Sequence, residues 1–177
     1  MNNYHFTEGD WHPVWNGEPY KVESGAVIYP DCKIGEGSII GANAVLRPHT
    51  KIGHHSIFGT SSVSEGYNEI GNYTTIHAQC HITQGVTIGD NVFIAPFFIA
   101  TNTPSITMGK HGTEGTFAAQ TYPCIIGNNV RIGANVRVIP GITIGNGAWI
   151  DQDCLITHDV LAGQHIRGGK DKIGRPI

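Results

Sequence analysis

The sequence predicts an all-β protein folded as a parallel β-helix, and three periodic observations support this. Aliphatic residues recur every six positions, glycine often follows them, and the fourth residue after each is small or β-branched. Eleven of the twelve residues at this spacing from position 28 to position 94 are apolar. The pattern restarts at position 126, where all six residues are aliphatic: Ile126, Ile132, Val138, Ile144, Ile150 and Ile156.

A six-residue unit suits one short strand and a bend, and three units close a triangular coil. The aliphatic residues then point inward, and neighbouring coils pair as parallel strands ~4.8 Å apart. We expect the glycine after each aliphatic residue to supply a bend with positive φ. Because no coil buries its own core, each depends on its neighbours. The predicted regions are an N-terminal cap (1–25), the β-helix (26–160) and a C-terminal tail (161–177).

The repeat is interrupted twice. Its phase is lost between Ile94 and Ile126, which predicts a loop extruded from the coils at about residues 100–120. Loops of this length in compact domains are usually functional or disordered. Ser64 replaces an aliphatic residue, and we interpret it as a local bulge. Two coils separate Ser64 from Ala100, so both irregularities are expected on one side of the prism.

Composition narrows the possible partners and the location. Charged residues form only 14% of the chain, which indicates that repeat stacking or partner subunits cover much of the surface. The net charge of -3 argues against nucleic acid or an anionic membrane as a partner. No apolar run approaches the roughly 20 residues of a membrane span. The first residues lack the layout of a signal peptide, so a cytoplasmic location is expected.

The four cysteines are predicted to be structural. Cys32, Cys80, Cys124 and Cys154 all fall on the small inward position of a repeat unit. A free cysteine packs there as a small hydrophobic residue. Without a CxxC pair, a zinc site or a disulfide framework is not expected, and no metal ligand is predicted.

The 18-residue coil brings polar residues into columns. Gly66, Gln84 and Asn102 form one column, and Glu65 begins the next. Gln84 and Asn102 are therefore expected to present two carboxamides that orient an acceptor without ionising. A solvated or coil-capping pair is the alternative. We predict Gln84 and Glu65 as substrate-binding residues.

Histidines supply candidate proton acceptors, because attack by an alcohol or amine requires removal of a proton. His77 and His81 precede the loop root by one coil, and His111 lies within the loop. We predict His77 and His111 as catalytic candidates and His81 as a substrate-binding residue. An ordinary surface histidine remains the alternative for each.

The repeat resembles the left-handed β-helix of hexapeptide-repeat acyltransferases. The stretches DNVFIAPFFIATNTP and IIGNNVRIGANVRVIPGITIGNGAWI are similar to sugar and antibiotic O-acetyltransferases of that family. The resemblance implies a left-handed coil, acetyl-CoA as co-substrate and a homotrimer with sites between subunits. Those enzymes carry a catalytic histidine in an Ala-Thr-His-Pro context, where this chain has Asn102. Asparagine at this point is similar to sugar-nucleotide N-acetyltransferases, and implies that Asn102 is a catalytic candidate, in addition to His77 and His111, that positions the acceptor.

The same resemblance implies a donor site in the last coils. The residues implied to line the pantetheine arm of acetyl-CoA are Gly133, Asp151, Thr157 and His158. Arg175, together with Arg167, Lys170 and Lys172, is expected to meet the phosphates of coenzyme A, since these cations suit that role.

The predicted function is therefore acetyl transfer from acetyl-CoA to an amine or hydroxyl of a sugar or sugar nucleotide, by direct attack on the thioester. Two alternatives stay open. One is a γ-class carbonic anhydrase-like metalloenzyme on the same fold. The other is a non-catalytic β-helix scaffold, because the coil alone does not define a function.

Overall fold

The computed structural model describes residues 19–104 and 121–168, which form a three-sided solenoid of short parallel strands. Face A contains β1 (Tyr20–Val22), β4 (Ser38–Ile40), β7 (Ile57–Phe58), β10 (Thr75–Ile76), β13 (Phe93–Ile94), β16 (Arg131–Ile132), β19 (Trp149–Ile150) and β21 (His165–Ile166). Face B contains β2 (Val27–Ile28), β5 (Val45–Leu46), β8 (Val63–Ser64), β11 (His81–Ile82), β14 (Ile99–Ala100), β17 (Arg137–Val138) and β20 (Leu155–Ile156). Face C contains β3 (Lys33–Ile34), β6 (Lys51–Ile52), β9 (Glu69–Ile70), β12 (Thr87–Ile88), β15 (Ile125–Ile126) and β18 (Thr143–Ile144).

The strand register confirms the predicted coil. Every strand pairs in parallel with the strand one coil away, for example Thr75 with Phe93 and Val45 with Val63. This is the three-sided parallel β-helix expected from the six-residue repeat, and it is consistent with the left hand of the hexapeptide family. Within the described ranges, no helix has the length and apolarity needed to cross a bilayer.

The register also locates the insertion. Thr87 pairs with Ile125 and Ile99 pairs with Arg137, so the offset rises from 18 residues to 38 across this coil. Twenty residues are therefore inserted between β14 and β15, where the sequence predicted the extruded loop. Residues 105–120 lie outside the described part of the chain, as do 1–18 of the predicted cap and 169–177 of the predicted tail.

The core is a stack of inward aliphatic side chains. Ile40, Leu46, Ile76, Ile82 and Ile94 are completely buried, each from the second residue of its strand or its equivalent. A fully buried aliphatic side chain stabilises the folded state by roughly 1.5–3 kcal/mol. Because the first residue of each two-residue strand points outward, the faces expose alternate side chains.

The glycines after the aliphatic residues do not take positive φ, which corrects the expectation above. A Cβ on Gly35 or Gly59 would lie within about 2.4–2.5 Å of the next coil's backbone, so these glycines allow close stacking. The left-handed bend comes two residues later, at positions such as Asn43 (φ 56°) and Asn91 (φ 54°). Asparagine tolerates this conformation better than most residues.

Ser64 is not a bulge, so that interpretation was wrong. It is completely buried in the regular strand β8, which pairs on both sides. Its Oγ lies 2.8 Å from Thr50 Oγ1 and accepts a hydrogen bond of 2.8 Å from Asn68 Nδ2. The hydroxyl is tolerated in the core because neighbouring inward polar groups satisfy it.

Candidate functional site

The insertion leaves and rejoins the coils at the edge between faces B and C, here called the B–C edge. The chain departs after Asn102 and returns at Tyr122, whose backbone N–H donates to the Asn102 carbonyl at 2.6 Å. Gly141 N–H in turn donates to the Tyr122 carbonyl, so Tyr122 occupies the regular corner position. Asn102 is thereby bonded to the point where the chain returns to the coils.

The Asn102 side chain is anchored to the corner, with only 8% of the residue exposed. Its Nδ2 donates to the main-chain carbonyl of Gln84 at 3.1 Å, and its Oδ1 accepts from Thr103 Oγ1 at 3.1 Å. Gln84 itself is exposed. The predicted column of Gln84 and Asn102 therefore exists, but the Asn102 carboxamide is bonded within the corner, which is the coil-capping arrangement that the sequence left as the alternative.

Glu65 and His81 form a pair beside this corner. Glu65 Oε1 and His81 Nε2 are 2.8 Å apart, and both side chains are partly exposed. His81 lies on face B, and Glu65 follows the strand one coil earlier. Next to them, Thr83 Oγ1 is buried and has no hydrogen-bond partner among the described residues. The structure thus brings together the three predicted substrate-binding residues Gln84, Glu65 and His81.

His77 lies elsewhere, at the edge between faces A and B, here called the A–B edge. Its ring packs edge-on against Phe93, with centroids 5.0 Å apart. Ala95, directly above it, precedes Asn102 by seven residues that cross face B, roughly 23 Å of extended chain. His77 and Asn102 therefore do not meet within one chain. The third catalytic candidate, His111, lies outside the described residues.

The predicted donor residues also divide between the two edges of face B. Gly133 and Asp151 lie in the His77 column at the A–B edge, whereas Thr157 and His158 lie at the B–C edge. Thr157 Oγ1 and His158 Nδ1 are 2.9 Å apart on the surface. Arg167 is exposed at the end of the coils, while Lys170, Lys172 and Arg175 lie outside the described residues.

A cavity of about 340 Å³ opens at the A–B edge of the last coils. Asp151 is central to it: its Oδ1 lies 2.8 Å from His165 Nε2, and this hydrogen bond lowers the pKa of the carboxyl. The lining residues are Gly133, Trp149, Ile150, Asp151, Gln152, Asp153 and Gly168.

The cavity lining includes Trp149, which the sequence reasoning missed, and Arg131 and His165 lie against the Trp149 ring outside that lining. The Arg131 guanidinium carbon lies 5.7 Å from the Trp149 ring centroid, and the centroid of the His165 ring lies 5.5 Å from it. The spacing of 18 between Arg131 and Trp149 was the available signal, because both occupy the outward position of face A.

The cysteine thiols are buried or partly buried and free, as predicted. Burial raises the pKa of Cys124 to about 12, and also raises the pKa values of Cys32, Cys80 and Cys154. A thiol attacks as the thiolate, so these groups are poor nucleophiles. Within residues 19–104 and 121–168, no group of three His, Cys, Asp or Glu side chains is arranged to hold a metal ion.

Two models of hexapeptide-repeat families match the coils. "Bacterial transferase hexapeptide (six repeats)" matches residues 17–48 and 69–97, and "Hexapeptide repeat of succinyl-transferase" matches residues 123–156. The matches together span just over half of the chain. The chain belongs to the hexapeptide-repeat family. The hexapeptide segments coincide with the coils on both sides of the insertion.

Individual relatives match over shorter spans. Galactoside O-acetyltransferase of Escherichia coli is 40% identical over 77 residues, which are 42% of this chain and 36% of the relative. Chloramphenicol acetyltransferase of Agrobacterium fabrum is 37% identical over 65 residues, 37% of this chain and 29% of the relative. The chain thus spans about a third of the length of these curated relatives.

A solved structure supports the fold. The AntD N-acyltransferase from Bacillus cereus, solved as a point mutant with dTDP-4-amino-4,6-dideoxyglucose and coenzyme A, superimposes with a TM-score of 0.52. The sequence identity is 17%, and the match covers 78% of this chain and 70% of that one. At this identity the likeness concerns the β-helix.

Proposed function

We propose that this protein is an acetyltransferase that moves the acetyl group of acetyl-CoA to an amine or hydroxyl of a sugar or sugar nucleotide. One structural observation carries the proposal: the long insertion is rooted at Asn102, in a corner that also holds Gln84 and the Glu65–His81 pair. The similarity to galactoside O-acetyltransferase over 77 residues supports the acetyl donor and a sugar acceptor.

The chemistry is direct transfer. The acceptor nitrogen or oxygen attacks the thioester carbonyl, the new bond to the acetyl carbon forms, and the carbon–sulfur bond breaks. Coenzyme A leaves as the thiol after receiving the proton lost by the acceptor. A backbone N–H holds the developing oxyanion, and proximity of the two bound substrates lowers the barrier further. The raised thiol pKa values support this route over an acyl-cysteine intermediate.

The proposed roles follow the placement of the residues. Asn102 positions the acceptor, with Gln84, Glu65 and His81 contributing to its binding. His77 and His111 are the candidate bases for an acceptor hydroxyl, whereas a neutral amine is already nucleophilic. Gly133 and Asp151 of one subunit and Thr157 and His158 of a neighbouring subunit form the donor groove, and Arg175 with Arg167 meets the phosphates of coenzyme A.

The separation of His77 from Asn102 supports a homotrimer. The two residues lie at opposite edges of face B, so they reach one acceptor only if the A–B edge of one subunit faces the B–C edge of another. The outward side of face B is rich in apolar side chains, including Val27, Ile99 and Leu155, which are 48%, 37% and 57% exposed. In register the apolar surface is continuous over Val27, Val45 and Val63, and contiguous apolar surface is typical of subunit contacts.

A cytoplasmic location completes the proposal. All four cysteines are free, which fits a reducing compartment.

The proposal is tested by a screen of acceptors with acetyl-CoA, in which release of the coenzyme A thiol is measured. The panel contains galactosides, amino-sugar nucleotides and chloramphenicol. We expect turnover with at least one sugar and a sedimentation mass of three chains. Absence of turnover with every acceptor, together with absence of acetyl-CoA binding by calorimetry, would contradict an acetyltransferase. A monomer in sedimentation would contradict the shared site.

A further inference from the structure

The B–C edge carries a short ladder of rings that ends abruptly. His49 and Tyr67 occupy the left-handed corner position of successive coils, with φ values of 63° and 54°. Their ring centroids are 4.5 Å apart. His49 therefore covers one face of the Tyr67 ring, and 58% of Tyr67 is exposed.

The next residue in this column is glycine, so the ladder stops at Tyr67. Gly85 has φ +85°, and a Cβ placed on it would contact only Pro123 among the described residues, at 3.3 Å. Pro123 is where the chain re-enters the coils after the insertion. Between the Tyr67 ring and Pro123 there is thus a position from which the side chain is missing.

The edge between faces C and A, the C–A edge, carries the equivalent column. In the same four coils, every described residue of that column has a side chain. There His55 stacks on Tyr73, with centroids 5.4 Å apart, and Asn91 and Asn129 continue the column with side chains. The comparison shows that the gap above Tyr67 is not imposed by the coil, because the same backbone corner accepts asparagine elsewhere.

The spacing of the coils leaves room for one ring beside Gly85. The backbones at Tyr67 and Pro123 lie two coils apart, about 10 Å at the usual strand spacing, and the Pro123 ring forms one wall, 3.3 Å from where a Cβ on Gly85 would lie. A ring in contact on both sides needs carbon–carbon separations of roughly 3.5–4.0 Å on each side. A ligand ring placed over Gly85 would therefore replace the missing member of the ladder.

The surrounding groups indicate the chemistry of that ring. Glu65 precedes the Gly66–Tyr67 corner, its carboxylate lies 2.8 Å from the His81 ring nitrogen, and the exposed Gln84 adjoins Gly85. An aromatic face takes the C–H side of a sugar ring through apolar contact. A carboxylate, an imidazole and a carboxamide then offer acceptors and donors to the hydroxyls at its rim.

We propose that the gap between Tyr67 and Pro123, over Gly85, is a stacking subsite for a pyranose ring of the acceptor. The inference rests on the proposed function for the identity of the acceptor, but the binding event itself does not require acetyl-CoA. The subsite lies at the same edge as Asn102, so a sugar stacked there is held at the root of the insertion.

The experiment places a side chain in the gap and compares ligand binding with that of the original chain. In Gly85→Asn the new side chain occupies the subsite, and the fold itself accepts asparagine at left-handed corners such as Asn43 and Asn129. Gly147→Asn is the matched control, because Gly147 is also left-handed (φ +68°), lies at the C–A edge and would have no described atom within 4 Å of an added Cβ. Tyr67→Ala removes the platform, and Tyr67→Phe retains it.

Binding is followed by saturation-transfer NMR with methyl β-D-galactopyranoside as the probe and uridine monophosphate as the comparison ligand. We expect the sugar signal to fall about tenfold in Gly85→Asn and Tyr67→Ala, and to persist in Gly147→Asn and Tyr67→Phe. An unchanged sugar signal in Gly85→Asn overturns the subsite. Loss of the uridine signal alone overturns the assignment to a pyranose.

The outcome is separable from that of the acetyltransferase proposal. If the enzyme transfers no acetyl group while Gly85→Asn abolishes sugar binding, the function fails and the subsite stands. If transfer occurs and Gly85→Asn changes neither the KM for the sugar nor its NMR signal, the subsite fails and the function stands.

Discussion

The C–A and B–C edges share one backbone geometry but carry different side-chain ladders. At the C–A edge, carboxamide and carboxylate oxygens accept backbone N–H groups from coil to coil without a break, from Asn72 through Asp90 and Asn128 to Asn146. At the B–C edge the ladder gives way to the Glu65–His81 contact, two glycines and a 20-residue insertion. A regular ladder only holds coils together, and an interrupted one leaves groups free to bind a ligand.

Asn102→Ala should give the largest loss of activity, and so the largest difference between a variant at the B–C edge and one at the C–A edge. Because Asn102 is proposed to position the acceptor, we expect kcat/KM to fall about 100-fold, with KM for acetyl-CoA nearly unchanged. Asn128→Ala at the C–A edge is the control and should keep its activity within about twofold while melting at a lower temperature. Steady-state kinetics and a circular dichroism melt check both variants. Equal activity losses in both would remove the distinction between the edges.

Thr74→Val tests the structural role of the C–A edge. Thr74 Oγ1 donates to the Gly89 carbonyl at 2.8 Å and accepts from Val92 N–H at 3.2 Å, inside the core. The valine leaves both backbone groups without this partner, so we expect a loss of about 1–3 kcal/mol of unfolding free energy. Valine itself fits, since Val92 occupies the next position of the column. Chemical denaturation measures the change, and an unaltered midpoint would show that the hydroxyl ladder adds no stability.

Glu65→Gln tests the Glu65–His81 contact of the B–C edge. It removes the charge beside His81 while keeping the shape, and we expect KM for the sugar acceptor to rise about tenfold. Glu69→Gln on face C is a matched variant, because Glu69 forms an exposed 2.6 Å pair with Lys51. Exposed pairs contribute about 0–1 kcal/mol, so turnover should not change in that variant. A similar rise in both variants would point to a general charge effect.

His165→Phe should have the smallest effect, at the A–B edge. The His165 hydrogen bond lowers the pKa of Asp151, so it favours the ionised carboxyl in the folded state. Its stabilisation is present above the unfolded carboxyl pKa of about 3.9 and is lost as the pH falls through the lower folded value. The melting temperatures of the variant and the original chain should therefore differ slightly at pH 6 and converge near pH 2. A difference that stays constant over this range would exclude the Asp151 linkage.

The architecture was predictable because it depends on a periodic property. Inward residues such as Ile76 and Ile94 recur at six, and the offset between Thr87 and Ile125 follows from the phase shift alone. The buried cysteines were predictable for the same reason. The role of Ser64 was not, because its hydroxyl is satisfied by Thr50 and Asn68, whose directions depend on the closed coil.

The candidate site was predictable in part. Column arithmetic placed Gln84 beside Asn102, and the structure confirms that they share a column. Column arithmetic did not pair Glu65 with His81, whose side chains lie 2.8 Å apart. It did not reveal that His77 lies on a different edge from Asn102. It also missed Tyr67 and Trp149, since an exposed aromatic residue becomes informative only when its uncovered face and neighbours are known.

By itself, the sequence determined the three-sided β-helix, its inward residues and the position of the insertion, because hydrophobic burial acts on spacing along the chain. Tertiary structure alone decided where the left-handed bends fall, which buried hydroxyls find partners and which corner lacks a side chain above Tyr67. Those features depend mostly on contacts between residues well separated along the chain, which form only once the coils are stacked.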